Sequence, residues 1–338
     1  MSFRSSRVPA NRRTVAIVGA GMMGRVHAKA ALRNGAVVAA VSDPDRARAT
    51  ELSESLGGRA KVLSFEQLLE AGDAGILHVC TPADSHFEIC EAALAHGFHV
   101  LCEKPVAGTA PAVERLVEIA KAQNVVFCPV HQFPFQRGVQ KISGLQSALG
   151  TLIHIAAEIC TAGATGMSDQ HRHQVAIDIL PHPLSVARAI TGFALDHIRW
   201  HACRAAPGEI LVSGVAGNTG LSFLVSTRSR PTANYVRVFG DRGTATIDLF
   251  HGYTFVEPGN VSRWRKASRP FTAAARAAGG AAINGINRGI HRETSFPGLA
   301  ELVSRFYAAA SGEGTSPILP AEIIEIARAR DTIIALLD

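Results

Sequence analysis

Glu103-Lys104-Pro105 closes a stretch, Gly75 to Pro105, that reads as strand, helix, strand. Ile76–Cys80 and His99–Cys102 are short apolar runs rich in β-branched residues, and Phe87, Cys90, Ala93 and Leu94 recur between them at helical spacing. Each strand ends in polar residues, Thr81-Pro82 after the first and Glu103-Lys104-Pro105 after the second. Ligands of an open parallel sheet bind at the carboxyl ends of its strands, so chemistry is expected at Lys104, whose ammonium can hold a substrate oxygen and stabilise a developing alkoxide. A Lys-Pro pair alone is ordinarily a solvated turn; the start of the chain supplies the context.

There, Thr14–Val18 is an apolar β-branched strand followed at once by Gly19-Ala20-Gly21-Met22-Met23-Gly24 and a helix through Ala28, Ala31 and Leu32. A second strand, Val37–Val41, ends in Ser42-Asp43, about 20 residues past the last glycine, where an acid holds adenosine ribose hydroxyls. Gly19 is expected to make the tight turn, Gly21 to admit a pyrophosphate and Gly24 to let the helix pack close. The helix N-terminus, with Met22 and Met23, offers free N–H groups to phosphate. Asp43 repels the extra phosphate of NADP, which favours NAD. Arg46 and Arg48 stand near enough to keep NADP as the alternative.

These groups need a doubly wound parallel sheet to position them. A helix over Pro44–Leu56, a strand at Lys61–Leu63 and a helix capped by Ser64, with Gln67 three residues on, precede the Gly75–Pro105 stretch. A helix over Pro111–Gln123 and a strand over Val125–Pro129 follow it, completing a nucleotide-binding domain over residues 14–130. The second half, 131–338, reads as an α+β domain with a mostly antiparallel open sheet packed on helices. Its strands are Leu152–Glu158, Ile198–Arg204, Glu209–Val215, Leu221–Ser226, Asn234–Gly240 and Thr244–Phe250, and an amphipathic helix runs over Ala321–Leu337.

The runs GAGMMGRVH, TPADSHFEICEAALAHGFHVLCEKPVAG, AIDILPH and VRVFGDRGTATIDL together resemble the Gfo/Idh/MocA oxidoreductase family over nearly the whole chain. The resemblance implies that Thr81, Pro82 and His86 line the cofactor crevice and that Glu103 contacts the nicotinamide end. It also implies that Lys104 reaches the nicotinamide ribose and the substrate oxygen, and that the Lys104-Pro105 bond is cis. His27 and His86 are read as structural or cofactor-adjacent. Asp178 and His182 are the implied acid/base and substrate-binding pair. Pro181 and Pro183 flank His182, however, and a helix starting only at Pro183 would remove the i, i+4 relation between the two. His131-Gln132-Phe133 replaces the usual Asn/Arg-Arg-Phe, which makes His131 and Gln132 candidate substrate contacts in an altered pocket. Leu180 and Ser185 depart from the usual Gly and Asp. His171-Arg172-His173 is expected to form a polar loop that could receive an anionic group.

The activity so implied is an NAD(P)-dependent dehydrogenase or reductase acting on a hydroxyl/carbonyl pair of a sugar, cyclitol or sugar-like small molecule, which could be nucleotide-linked, in a homodimer or homotetramer joined through the second sheet. An imine or conjugated-system reductase, and a nucleotide-binding regulator without catalysis, stay open as alternatives.

Composition narrows the classes further. At 338 residues the chain exceeds a single core. Its net charge of +6 is uneven: residues 1–13 hold +4 and residues 258–292 hold +7, both without an acid, so the remainder is at −5. The basic balance is therefore no argument for nucleic-acid binding, and no module motif supports one. No apolar run reaches the roughly 18–20 residues of a membrane span. Residues 1–13 are read as a disordered basic leader of a cytoplasmic protein, and 258–292 as a basic loop, or an arm for an anionic substrate or acidic partner. The six cysteines show neither a CxxC pair nor metal spacing and are read as reduced core residues, with no metal site.

Overall fold

The computed structural model describes residues 13–72, 74–259, 262–290 and 296–337. The chain forms two compact units, Met1–Val130 with Ala300–Ile324, and His131–Leu299 with Glu325–Asp338.

In the first unit the strands are β1 (Thr14–Val18), β2 (Val37–Ser42), β3 (Lys61–Val62), β4 (Ile76–Val79), β5 (His99–Cys102) and β6 (Phe127–Pro129). The helices between them are α1 (Met22–Arg33), α2 (Arg46–Ser55), α3 (Phe65–Ala71), α4 (His86–Ala95) and α5 (Ala110–Ala122). All strand pairs are parallel, in the order β3-β2-β1-β4-β5-β6. The order reverses between β1 and β4, the place where such sheets open a ligand crevice. Local chemistry fixes the helix starts. Ser64 caps α3 in a full capping box with Gln67, and the Asp45 side chain accepts from the N–H groups of Ala47 and Arg48 at α2.

The second unit holds β7 (Leu152–Cys160), β8 (His201–Ala206), β9 (Glu209–Ala216), β10 (Thr219–Ser226), β11 (Ala233–Gly240), β12 (Gly243–Asp248) and β13 (Tyr253–Pro258), in the order β13-β12-β11-β7-β10-β9-β8. Only β7 and β10 pair in parallel. Two single-turn helices, α6 (Arg137–Gln140) and α7 (Gln146–Leu149), precede β7; α8 (Asp169–Ile179) and α9 (Pro181–Thr191) follow it. The burial alternation of β9, and of β10 as far as Val225, turns one sheet face to a core that includes Ile155, Phe223, Val236, Leu180 and Leu184. Then come α10 (Arg263–Ile290), α11 (Leu299–Ala310) and α12 (Pro320–Ala335). Among the described residues no helix is long and apolar enough to cross a membrane.

Four expectations change. Residues 131–338 are not one domain: 300–324 belong to the first unit, because Phe306 and Tyr307 of α11 bury completely there and Tyr307 bonds to β4. The 258–292 segment is not a loop; α10 fills 263–290, consistent with its alanine-rich composition. His171, Arg172 and His173 lie inside α8, whose N-terminus is set by Ser168 accepting from the His171 N–H. Cys203 is exposed, whereas Cys80, Cys90, Cys102, Cys128 and Cys160 are buried free thiols. Residues 1–12 of the expected 1–13 leader lie outside the described residues.

Candidate active site

The glycine loop divides its labour as its spacing suggests. Gly19 has φ +95°, and a Cβ there would sit 2.6 Å from the Cys80 carbonyl carbon. At Gly24 a Cβ would lie 1.9 Å from Gly19 O, so only glycine lets α1 pass this close to the turn. At Gly21 an added Cβ meets nothing within 4 Å. That open side faces a cleft of about 990 Å³ lined by Gly19, Gly21, Met22, Met23, Asp43, Arg46, Thr81 and Pro82, among others. No side chain caps the N-terminus of α1. An open backbone approach, free helix N–H groups and an acid at the end of β2 are what a dinucleotide's pyrophosphate and ribose require, and these residues fit one. Asp43 does more than wait for a ribose. Its Oδ2 accepts from Ala20 N–H at 2.7 Å and its Oδ1 from Asp45 N–H at 2.8 Å, tying the glycine loop to the end of β2.

His86 stands next to the cleft as a structural residue. It is buried, outside the cleft lining, with Nε2 2.8 Å from Thr81 O and Nδ1 2.7 Å from Pro105 O. It joins the ends of β4 and β5 and positions Thr81 and the Lys104-Pro105 turn, whose bond is cis.

Lys104 is half-buried just past the end of β5, the strand next to β4. Its backbone N–H donates to Glu103 Oε2 at 3.3 Å. Behind Glu103 runs a chain of polar groups through the interior. Glu103 Oε1 is 3.1 Å from His27 Nε2, His27 Nδ1 is 3.0 Å from His78 Nδ1, and His78 Nε2 is 3.0 Å from Tyr307 Oη. His27, His78 and Tyr307 are fully buried. Burial opposes charge on His27, yet the adjacent Cys80 sulfur and the Glu103 carboxylate outweigh it and push its pKa up to about 10. Burial and the neighbouring His27 hold His78 well below the usual histidine range. Burial works against the Glu103 carboxylate too, but the His27 bond and charge and the Lys104 ammonium bring its pKa below the usual value. Glu103, half-buried, is thus an anion beside the His27 and Lys104 cations. The sequence reading missed His78 and Tyr307; a histidine in the middle of an otherwise apolar, fully buried strand was the available sign that a polar partner lay nearby.

In the second unit, α8 ends at Ile179 and α9 begins at Pro181, not at Pro183. Leu180 between them keeps helical dihedrals, φ −50° and ψ −36°. The prolines remove two N–H donors from the ladder without turning the chain off its helical path, so Asp178 and His182 keep their four-residue spacing along it. Asp178 is half-buried and accepts from Gln174 Nε2 at 2.9 Å. His182 is buried, its ring 4.4 Å from that of Phe133 and tilted by 34°. The His131-Gln132-Phe133 run is therefore brought to His182; His131 is buried and Gln132 half-buried beside this stack. Arg172 pairs with Asp169 on its own helix, which counts against an anion-receiving loop there. Among the described residues no group of three His, Cys, Asp or Glu side chains is placed to hold a metal ion.

Residues 13–131 match the oxidoreductase family with an NAD-binding Rossmann fold. The inositol 2-dehydrogenase of Arthrobacter sp. (strain FB24) is 26% identical over 285 residues, 75% of this chain and 81% of the relative. Among solved structures, UDP-N-acetylglucosamine 3-dehydrogenase GnnA from Acidithiobacillus ferrooxidans superposes with a TM-score of 0.75 at 18% identity, covering 96% of this chain and 98% of the other. The WlbA dehydrogenase from Bordetella pertussis, solved with NADH and UDP-GlcNAcA, gives 0.76 at 14% identity over 98% and 96% of the two chains. At these identities the two structures show the fold.

Proposed function

Because the chain belongs to the Gfo/Idh/MocA oxidoreductase family of NAD-binding dehydrogenases, we propose that it interconverts a hydroxyl and a carbonyl on a sugar, a cyclitol or a nucleotide-linked sugar. The observation that carries this is Lys104 at the carboxyl end of β5, beside the strand pair that opens the cleft. When bound, NAD supplies the hydride acceptor or donor at its nicotinamide ring. Lys104 holds the substrate oxygen and stabilises the negative charge that develops on it. Glu103, anchored by His27, sets a negative charge beside the ammonium. His182 takes or returns the hydroxyl proton, and Asp178 orients its ring. His131 and Gln132 contact the substrate and give the pocket its departure from relatives with the usual residues there.

The Arthrobacter relative is named for inositol and two fold neighbours are a UDP-sugar dehydrogenase and a dehydrogenase solved with a UDP-sugar, which sets the panel for a test. Cyclitols, free sugars and UDP-sugars are offered to the protein with NAD and the rise in NADH fluorescence is followed; their keto forms are offered with NADH. Turnover of one class by the wild type and its loss in His182→Asn supports the assignment, and the same turnover in that variant overturns the role given to His182.

A further inference from the structure

The helix α10 is built inside out. A surface helix normally lays its apolar stripe on its own core and shows polar residues to water. The contacts of α10 with its own unit are instead polar or small: Arg269 bonds to Glu257 at 3.0 Å, and Asn284 and Arg288 both donate to His251 O, at 2.7 and 3.0 Å. Gly280 passes so near β13 that a Cβ there would be 3.2 Å from Thr254 O. At 3.6 residues per turn, the large apolar side chains fall in an arc of about 120° on the opposite side. They are Trp264 (87% exposed), Phe271 (78%), Ile283 (62%), Ile286 (64%) and Ile290 (70%).

We propose that this face of α10 is covered by the same helix of a second copy of the chain, the two running antiparallel about a two-fold axis near Ala277. Three features select this occupant. The first is register. Trp264 and Phe271 are separated by the same interval as Ile283 and Ile290, so one antiparallel alignment sets Trp264 against Ile290 and Phe271 against Ile283 in both directions, as an isologous contact requires. The alanine- and glycine-rich stretch 273–282 then lies at the crossing, where small residues let the backbones approach. The second is charge. The cations of α10 gather in its first half, Arg263, Arg265, Lys266, Arg269 and Arg276, and only Arg288 lies in the second, so antiparallel pairing lays each basic half on a nearly neutral one. The third is area. The two aromatics alone offer roughly 300–400 Å². With three isoleucines the patch exceeds what a monomer usually exposes, and two copies reach the roughly 1,000 Å² of a specific interface. Arg269 and Arg288 point back to the protein rather than toward the apolar face, which removes two of the cations a lipid surface would use.

The test uses the full chain at micromolar concentration, by sedimentation velocity. Phe271→Asp and Ile286→Asp should each halve the mass of the assembly while leaving NADH binding unchanged. If either variant loses its fold, cysteine pairing replaces it in a Cys203→Ser background. Mixed Phe271→Cys and Ile283→Cys proteins should then form a disulfide-linked dimer under mild oxidation that neither gives alone. A monomeric wild type, an unchanged mass in folded variants, absence of the mixed cross-link, or tight binding of the wild type to anionic vesicles abolished by Phe271→Asp would each overturn the proposal.

Discussion

His27 Nε2 lies 3.1 Å from Glu103 Oε1, inside the first unit and one residue before Lys104. The relation makes a titration statement. A histidine whose pKa is raised on folding, here to about 10, adds stability that is fully present below its unfolded value near 6.5 and is lost as pH rises toward 10. His27→Gln should therefore lower the melting temperature most at about pH 6, and the gap to wild type should close toward pH 10. Calorimetry across that range checks it; a gap that is constant or widens with pH contradicts the charge assigned to His27. The depressed pKa of Glu103 acts at the other end, its contribution being lost as pH falls below the ordinary carboxylate range.

The glycine loop separates folding from binding. Gly24→Ala drives a Cβ into the Gly19 carbonyl and should cost about 1–3 kcal/mol or more, several degrees in melting temperature. Gly21→Ala meets no protein atom, so it should melt with wild type while NADH binding weakens tenfold or more. Paired melting curves and calorimetric titrations decide. Equal losses of stability in the two variants would contradict the separate roles.

Asp43 joins cofactor choice to loop structure. Each of its oxygens already accepts one backbone N–H and keeps a lone pair for a ribose hydroxyl. NADH should bind at least about tenfold more tightly than NADPH, some 1.4 kcal/mol. Asp43→Ala should narrow that preference and, by leaving the Ala20 N–H without its acceptor, cost about 1–3 kcal/mol of stability. Equal affinities in the wild type would show that Arg46 or Arg48 overrides the carboxylate.

Much of this was legible in the residues because it is written in local periodicity. The six parallel strands, the tight turn at Gly19, the close packing at Gly24 and the capping box at Ser64 follow from patterns a few residues long. The rest depends on partners distant in sequence. Nothing near His78 announces that Tyr307 will reach it, so the return of 300–324 to the first unit and the buried His27–His78–Tyr307 chain escaped the reading. The α8–α9 junction was open in the sequence for a different reason. Pro181 and Pro183 suggested a late helix start, but two missing donors weaken a ladder without changing Leu180 from helical geometry. In α10 the alanines favoured a helix, while the absence of an inward apolar stripe hid it.

Lys104 is the centre of the account, and Lys104→Met tests it most directly, since the substitution nearly preserves length but removes the charge and the donors. With an established substrate and saturating cofactor, kcat should fall by roughly a hundredfold or more. The NADH dissociation constant should change far less, because the residues proposed to hold the far end of the cofactor, Gly19, Gly21 and Asp43, are left intact. Near-normal turnover by Lys104→Met would contradict the placement of chemistry at the end of β5.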